Sequence, residues 1–370
     1  VVIEGAGSPA EINLRAGDIV NMSMAESADA PVLLVGDINL GGVFASLLGT
    51  VMLLTDEERA RVKGVIINKF RGDVKILEPG LKMLEEHIHI PVLGVVPWMD
   101  VGLEDEDSVT ERFSRMMGQG DLDVAVVKLK HISNFTDFQS LSLQPGVKVR
   151  YAQTSKEIEN ADLIVLPGTK NTIEDLIDLR NRGLDAAIIR HARKGGMVIG
   201  VCGGYQMLGR KLHDPDHVES RVPELAGLDL LDMEVTFARE KETAQVSGVV
   251  DASGWLASSN GILVDGYEIH AGQNQFGERA LPWLRIGNRV DGVMNECGNV
   301  LGSYLHGLFD DGQLFAAIAA HIRKEKGIDT ETQAPMTLDE YREREFDRIA
   351  DIVRASVDMD AIYRIVRGEV

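Results

Sequence analysis

Met197-Val198-Ile199-Gly200-Val201-Cys202-Gly203-Gly204-Tyr205-Gln206-Met207-Leu208-Gly209 is the stretch whose reading decides the fold. An apolar, β-branched run preceded by Gly195-Gly196 reads as a buried strand. It ends at Cys202, before two glycines and a sequence able to begin a helix. Strand, tight turn and helix in that order describe a nucleophile elbow, which holds one side chain clear of the sheet. The flanking glycines tolerate the strained backbone and close packing of such a turn. A helix starting there aims its positive end and free N–H groups at the Cys202 side chain, a setting that favours thiol chemistry.

Working outward, the same rhythm recurs. Pro31 to Asp37, Val62 to Asn68 and Pro91 to Pro97 read as buried strands, with helices over Val43 to Leu54 and Ile76 to Glu86 between them. Val1-Val2-Ile3 reads as part of a further strand that runs into Glu4-Gly5-Ala6-Gly7, as though the chain were cut within it. The acidic run Leu103 to Ser108 and the polar segment to Gly120 read as a linker. The rhythm restarts with Val124 to Leu129, Val147 to Ala152, Leu163 to Leu166 and Met197 to Val201. Strands alternating with helices imply parallel sheets covered on both faces. From Leu225 to Leu305 shorter, Gly-punctuated pieces suggest an antiparallel extension. The tail from Leu314 to Val370 is charged and helical in period, with Phe346, Ile349, Ile352 and Val353 on one face. The expected division is 1–119, 120–314 and a helical tail, 315–370.

The composition is that of a soluble globular enzyme: 370 residues, 44% apolar and 26% charged, enough for two domains. A formal charge of −20 argues against a nucleic-acid or membrane-surface binder, because both partners are anionic. With only two cysteines and no apolar run near a membrane span, the expected setting is reducing and cytoplasmic. Composition says nothing of oligomeric state.

A thiol nucleophile needs a base. His306, in Leu301-Gly302-Ser303-Tyr304-Leu305-His306-Gly307, follows a strand-like run far downstream, as suits a partner adjacent in space rather than sequence. Acyl transfer also needs oxyanion donors. The N–H of Gly203 supplies one, and the turn Leu166-Pro167-Gly168-Thr169-Lys170-Asn171-Thr172 offers a second, with Thr172 as the cap of the following helix.

These residues carry a resemblance. Pro167 to Thr172, Gly200 to Gln206 and Tyr304 to Gly307 resemble the class I glutamine amidotransferase domain, flavodoxin-like in fold, of the cobalamin-pathway type. The resemblance implies that Cys202 forms a γ-glutamyl thioester with His306 as its base. It also implies that Gly168, Thr169, Gly203 and Gln206 serve the oxyanion and the bound glutamine. Many class I members carry Glu two residues after the His, where this chain has Leu308. A Cys–His dyad is therefore expected, with Glu268 or another acid orienting His306 and His270 as the alternative base.

Glu4 to Leu14, Ile132 to Phe138, Gly266 to His270 and Asp358 to Tyr363 extend the match along the chain, which resembles the cobyric acid synthase family. That implies an N-terminal domain like dethiobiotin synthetase, a P-loop-type sheet that binds MgATP and activates a carboxylate. Glu4 and Asp37 are then the Mg²⁺ candidates, and Asn68 and Lys69 the nucleotide candidates. The implied substrate is a corrinoid polycarboxylate amidated at its b, d, e and g positions. The alternatives are an a,c-diamide synthase and a non-catalytic corrinoid- or nucleotide-binding subunit. No G-x-x-x-x-G-K-[ST] occurs, and Leu40 stands where the family usually has Arg. The expectation is an incomplete P-loop domain, its phosphate loop lying upstream.

Overall fold

A computed structural model describes residues 1–103, 117–328 and 334–369, so most of the expected linker lies outside the described residues. The chain divides into two compact units, Val1–Gly102 with Glu343–Val370, and Leu103–Arg342.

In the first unit, β1 (Val32–Asp37), β2 (Val62–Phe70) and β3 (Val92–Pro97) form a parallel sheet in that order, with Asp37 opposite Asn68. Such a sheet needs helices to cover it. The helix Val43–Leu53 buries Val43, Leu47 and Val51, a stripe at four-residue spacing, and the helix Val74–Ile88 adds Leu84 and Ile88. A capping box between Thr55 and Glu58 starts the helix Asp56–Arg61. Val357, between the helices Leu338–Ser356 and Met359–Val366, and Ala361 and Ile365 of the second helix pack on Leu93 and Val96 of β3.

One expectation fails in this unit, while the tail is helical as expected. Val1-Val2-Ile3 is exposed and forms no strand, because its backbone pairs with no neighbour and apolar content alone does not make a strand. Phe346 is half exposed; Ile349, Ile352 and Val353 are partly covered, so the buried side of that helix is narrower than its apolar period suggests.

The second unit carries β4 (Met117–Gly118), β5 (Leu122–Val127), β6 (Val147–Ala152), β7 (Leu163–Leu166), β8 (Met197–Val201), β9 (Lys211–His213), β10 (Glu224–Ala226), β11 (Met233–Val250), β12 (Leu263–Phe276), β13 (Leu281–Ile286), β14 (Arg289–Met294) and β15 (Val300–Ser303). Its centre is parallel, in the spatial order β6-β5-β7-β8-β15. Numbered along the chain, that order is 2-1-3-4-5, the flavodoxin-like winding. β7, β8 and β15 are buried at every position, as expected with both faces covered.

Strands β9 to β14 come between β8 and β15 in the chain and form the expected extension beyond β15, antiparallel except that β9 pairs parallel with β11. Its main pair differs from the expected short pieces: β11 and β12 are long partners, registered from Met233↔Phe276 to Val249↔Leu263. Glycines in this pair do not end the strands. Gly266 lies where any Cβ would strike the His306 carbonyl oxygen, so it marks a close approach rather than a turn.

Candidate active site

The winding decides where chemistry collects. In an open parallel sheet, ligands gather beyond the C-terminal strand ends near the switch in strand order. The loops after β5, β7, β8 and β15 leave that edge side by side, carrying Asp137, Gly168 and Thr169, Cys202, and His306 respectively. β8 and β15 are registered Val201↔Ser303, and the Cys202 N–H donates to the Ser303 carbonyl at 2.9 Å. Two residues distant in sequence therefore leave the sheet together.

Cys202 has φ 50° and ψ −110°, a strained conformation for a residue with a side chain, of the kind that persists where surrounding structure holds it. The holding is visible in its neighbours. A Cβ on Gly203 would meet Thr169 Cγ2 at 2.6 Å, and one on Gly204 would meet the Leu166 carbonyl oxygen at 2.0 Å. The elbow thus packs directly on the end of β7. The point where a Gly168 side chain would begin lies 3.0 Å from His306 Cε1 and 3.6 Å from Cys202 Cβ, so thiol, imidazole and turn enclose one small space. In its neutral form the Cys202 thiol donates to the Ile269 carbonyl at 3.6 Å; as a thiolate it accepts from His306 instead.

His306 is 1% exposed. Its Nδ1 donates to Asp137 Oδ2 at 2.6 Å, and Asp137 Oδ1 accepts the Gly307 N–H at 3.3 Å. This bond leaves Nε2 for the thiol. Burial opposes charge on the imidazole, but hydrogen bonds to Asp137 and Cys202, with their negative charges, outweigh it and push the His306 pKa up to about 10. The Tyr267 ring stacks on the imidazole at 5.0 Å, and Asn134 Nδ2 donates to the Tyr267 hydroxyl at 2.8 Å.

Sequence reasoning missed Asp137. The acid facing His306 is not Glu268, whose two oxygens both accept from Arg289 Nη2 at 2.7 Å. The one available signal was that Asp137 lies within Ile132 to Phe138, a stretch already part of the resemblance. His270 donates its Nδ1 proton to the Gly272 carbonyl at 3.0 Å and stacks on Tyr304.

Around this core, Gln206 is buried. It accepts the Thr172 hydroxyl proton at 2.8 Å and donates toward the Tyr304 hydroxyl at 3.4 Å. Thr169 donates to Asp175 Oδ2 at 2.5 Å. The cap of the helix Thr172–Asn181 is Asn171 rather than Thr172: the Asn171 side chain accepts the Glu174 N–H at 3.0 Å, and Thr172 already has helical geometry. Glu219, also missed, accepts the Thr172 N–H at 2.7 Å, and burial pushes its carboxyl up to about 7.

In the first unit, the ends of β1 and β2 bring three nucleotide and metal candidates together. Asp37 lies opposite Asn68 and accepts from Lys69 Nζ at 2.8 Å. That bond holds its carboxyl below the usual range. Glu4 is exposed in the irregular leading segment, not at a strand end.

With the geometry in place, the relatives can be read. A model of the CobB/CobQ-like glutamine amidotransferase domain matches residues 123–314, and one of an AAA domain matches residues 1–104. A cobyric acid synthase of Alkaliphilus metalliredigens is 52% identical over 379 residues, spanning 100% of this chain and 75% of its own length. The chain belongs to the cobyric acid synthase family. Synthases of that name from Clostridium acetobutylicum and Thermoanaerobacter sp. are 50% and 48% identical. Both matches span 99% of this chain, and 73% and 74% of the relatives respectively. The family has the expected α/β plan, a P-loop-type parallel sheet followed by a class I amidotransferase domain. Among the described residues, no helix is long and apolar enough to cross a membrane.

Proposed function

We propose that the protein is a glutamine-hydrolysing, ATP-dependent amide ligase that amidates carboxylates b, d, e and g of adenosylcobyrinic acid a,c-diamide in cobalamin biosynthesis. The observation that carries this reading is the buried Cys202–His306–Asp137 chain at the sheet edge of a member of this family. Relatives named cobyric acid synthase at 48–52% identity favour it over an a,c-diamide synthase. A subunit that only bound a corrinoid or nucleotide would have no use for a strained thiol beside an imidazolium.

The chemistry follows from the atoms. The Cys202 thiolate attacks the glutamine γ-carbonyl carbon, and the oxyanion is met by the Gly203 N–H and the turn at Gly168 and Thr169. The C–N bond breaks as His306 Nε2 delivers its proton to the departing ammonia, leaving a γ-glutamyl thioester. Once the sulfur is acylated its negative charge is gone. His306 then loses one of the two partners that raised its pKa, and is better able to take a proton from the water that hydrolyses the thioester. Asp137 holds the imidazole tautomer throughout. Gln206 braces Thr172, the first residue of the helix Thr172–Asn181, against Tyr304, which orients the glutamine pocket.

In the first unit the donor set fits a magnesium–nucleotide group. The Asp37 carboxylate already attracts a cation, the Lys69 ammonium, and an amide stands beside it on β2. Mg²⁺ usually takes one or two carboxylates and leaves the rest of its shell to phosphates and water. Asp37 would hold the ion, and Asn68 and Lys69 would contact the nucleotide, while the other carboxylate candidate, Glu4, lies exposed in the leading segment. ATP bound there supplies activation of the substrate carboxylate as an acyl phosphate, the acceptor for ammonia. We place this enzyme in the cytoplasm.

The test is Cys202→Ala in the full-length protein. Glutamine-dependent synthesis and glutaminase turnover disappear while synthesis from added ammonia persists, since only the ammonia source is lost. Glutaminase turnover retained in this variant refutes the assignment.

A further inference from the structure

One cluster beside the thiol is not used by this chemistry. On β12, Glu268 and His270 are two residues apart and both point inward, with outward Ile269 between them. On β11, Glu242 is registered directly opposite His270, just past the irregularity between Phe237 and Glu242. The three side chains converge, and one ligand atom from each lies within 4.8 Å of the other two.

Two observations separate this cluster from an ordinary patch of acid. First, His270 Nδ1–H is committed to the Gly272 carbonyl at 3.0 Å, which fixes the tautomer and leaves the Nε2 lone pair pointing at the carboxylates. Second, that Nε2 is fully buried on a residue only 7% exposed, and has no hydrogen-bond partner among the described residues. Its nearest carboxylate atoms are Glu268 Oε1 at 3.8 Å and Glu242 Oε2 at 3.9 Å. These separations are too long for a hydrogen bond. A tetrahedral Zn²⁺ with bonds of about 2.0–2.1 Å holds its ligand atoms about 3.3–3.4 Å apart, so each carboxylate reaches a shared ion with Nε2 by moving in about half an ångström. Arg289 fixes Glu268 and balances one of the two carboxylates, leaving the other charge for a cation. The Tyr304 ring, stacked 3.7 Å from the imidazole, holds His270 in place.

We propose that Glu242, Glu268 and His270 form a binding site for a divalent cation of the zinc class. An imidazole with two carboxylates is a borderline nitrogen–oxygen donor set, which suits Zn²⁺ or Co²⁺ better than Mg²⁺ or Ca²⁺. The site spans Ile269, whose carbonyl accepts the Cys202 thiol proton, so the bound ion clamps the strand that lines the nucleophile.

The test uses untagged protein carrying Cys202→Ala and Cys297→Ser, which removes both thiols as ligands. Zn²⁺ is titrated in competition with a chromophoric chelator, and Co²⁺ is added separately to read the ligand field. The expected result is one tightly held equivalent of Zn²⁺ and cobalt d–d absorption without a thiolate charge-transfer band. Affinity then falls at least about tenfold in Glu242→Ala and in His270→Gln. Glu242 is exposed, so its variant keeps the test decisive if His270→Gln does not fold. Failure to bind one equivalent, or unchanged affinity in either folded variant, overturns the assignment. Glutaminase activity of the parent protein is a separate reading, so failure of this site leaves the proposed function standing.

Discussion

Replacing Asp137 by Asn tests the orienting role most directly, because the exchange keeps shape and removes charge. Asp137 Oδ2 accepts from His306 Nδ1 at 2.6 Å and Oδ1 from the Gly307 N–H at 3.3 Å. Asn has one acceptor oxygen, so its NH₂ must face one of these two donors. A hydrogen bond to a charged group is worth about 1.5–3 kcal/mol, and each pKa unit is about 1.4 kcal/mol. His306, at about 10 in the native protein, then falls by roughly one to two units. The same energy, withdrawn from the transition state, lowers glutaminase kcat/KM by about 10- to 150-fold. The loss sits in kcat, because Asp137 lies behind the imidazole. The assay is steady-state glutamine hydrolysis from pH 6 to 11, with a glutamine-analogue alkylation rate as the measure of thiolate. Activity that depends on the imidazolium is lost as pH rises through its pKa, so the alkaline limb moves to lower pH in the variant. Retention of kcat/KM within about threefold, together with an unmoved alkaline limb in a folded variant, would refute the orienting role.

Three further outcomes follow from the same geometry. His306→Asn slows thioester formation by roughly 10²–10⁴-fold, read by rapid-quench trapping; unchanged kinetics would place the proton carrier elsewhere. Gly204→Ala puts a Cβ 2.0 Å from the Leu166 carbonyl oxygen, where backbone must move, and destabilises the protein by about 2–3 kcal/mol in urea unfolding. Burial raises the Glu219 pKa to about 7 from the ordinary 4.5, so it favours the fold below about pH 4.5, and that contribution is lost as pH rises through about 7. Glu219→Gln removes this loss and should be more stable than the parent at pH 8 by on the order of 1–2 kcal/mol; thermal melts that run parallel from pH 4.5 to 8 would contradict it.

Much of the fold is written in local pattern. Apolar β-branched runs mark the parallel strands, and Gly200 to Gly204 marks the elbow, because a turn this tight leaves few residue types to choose from. Cys202 and His306 stand out in the chain because each follows a strand-like, mostly apolar run and is followed by glycine. Other features depend on which segment lies against which. Asp137 is one of 58 acids and stands 169 residues from the imidazole it meets, so nothing near it in the chain announces the contact. Only the order β6-β5-β7-β8-β15 puts the loop after β5 across from the loop after β15. Glu242 meets His270 through a cross-strand register that an irregularity in β11 sets, and glycines that look like strand ends lie inside paired strands. Conversely, Val1-Val2-Ile3 and Phe346 have the apolar character of buried segments and are exposed. Periodicity and composition state what a side chain favours. Burial and pairing are decided by the neighbour, which the chain supplies only once it is folded.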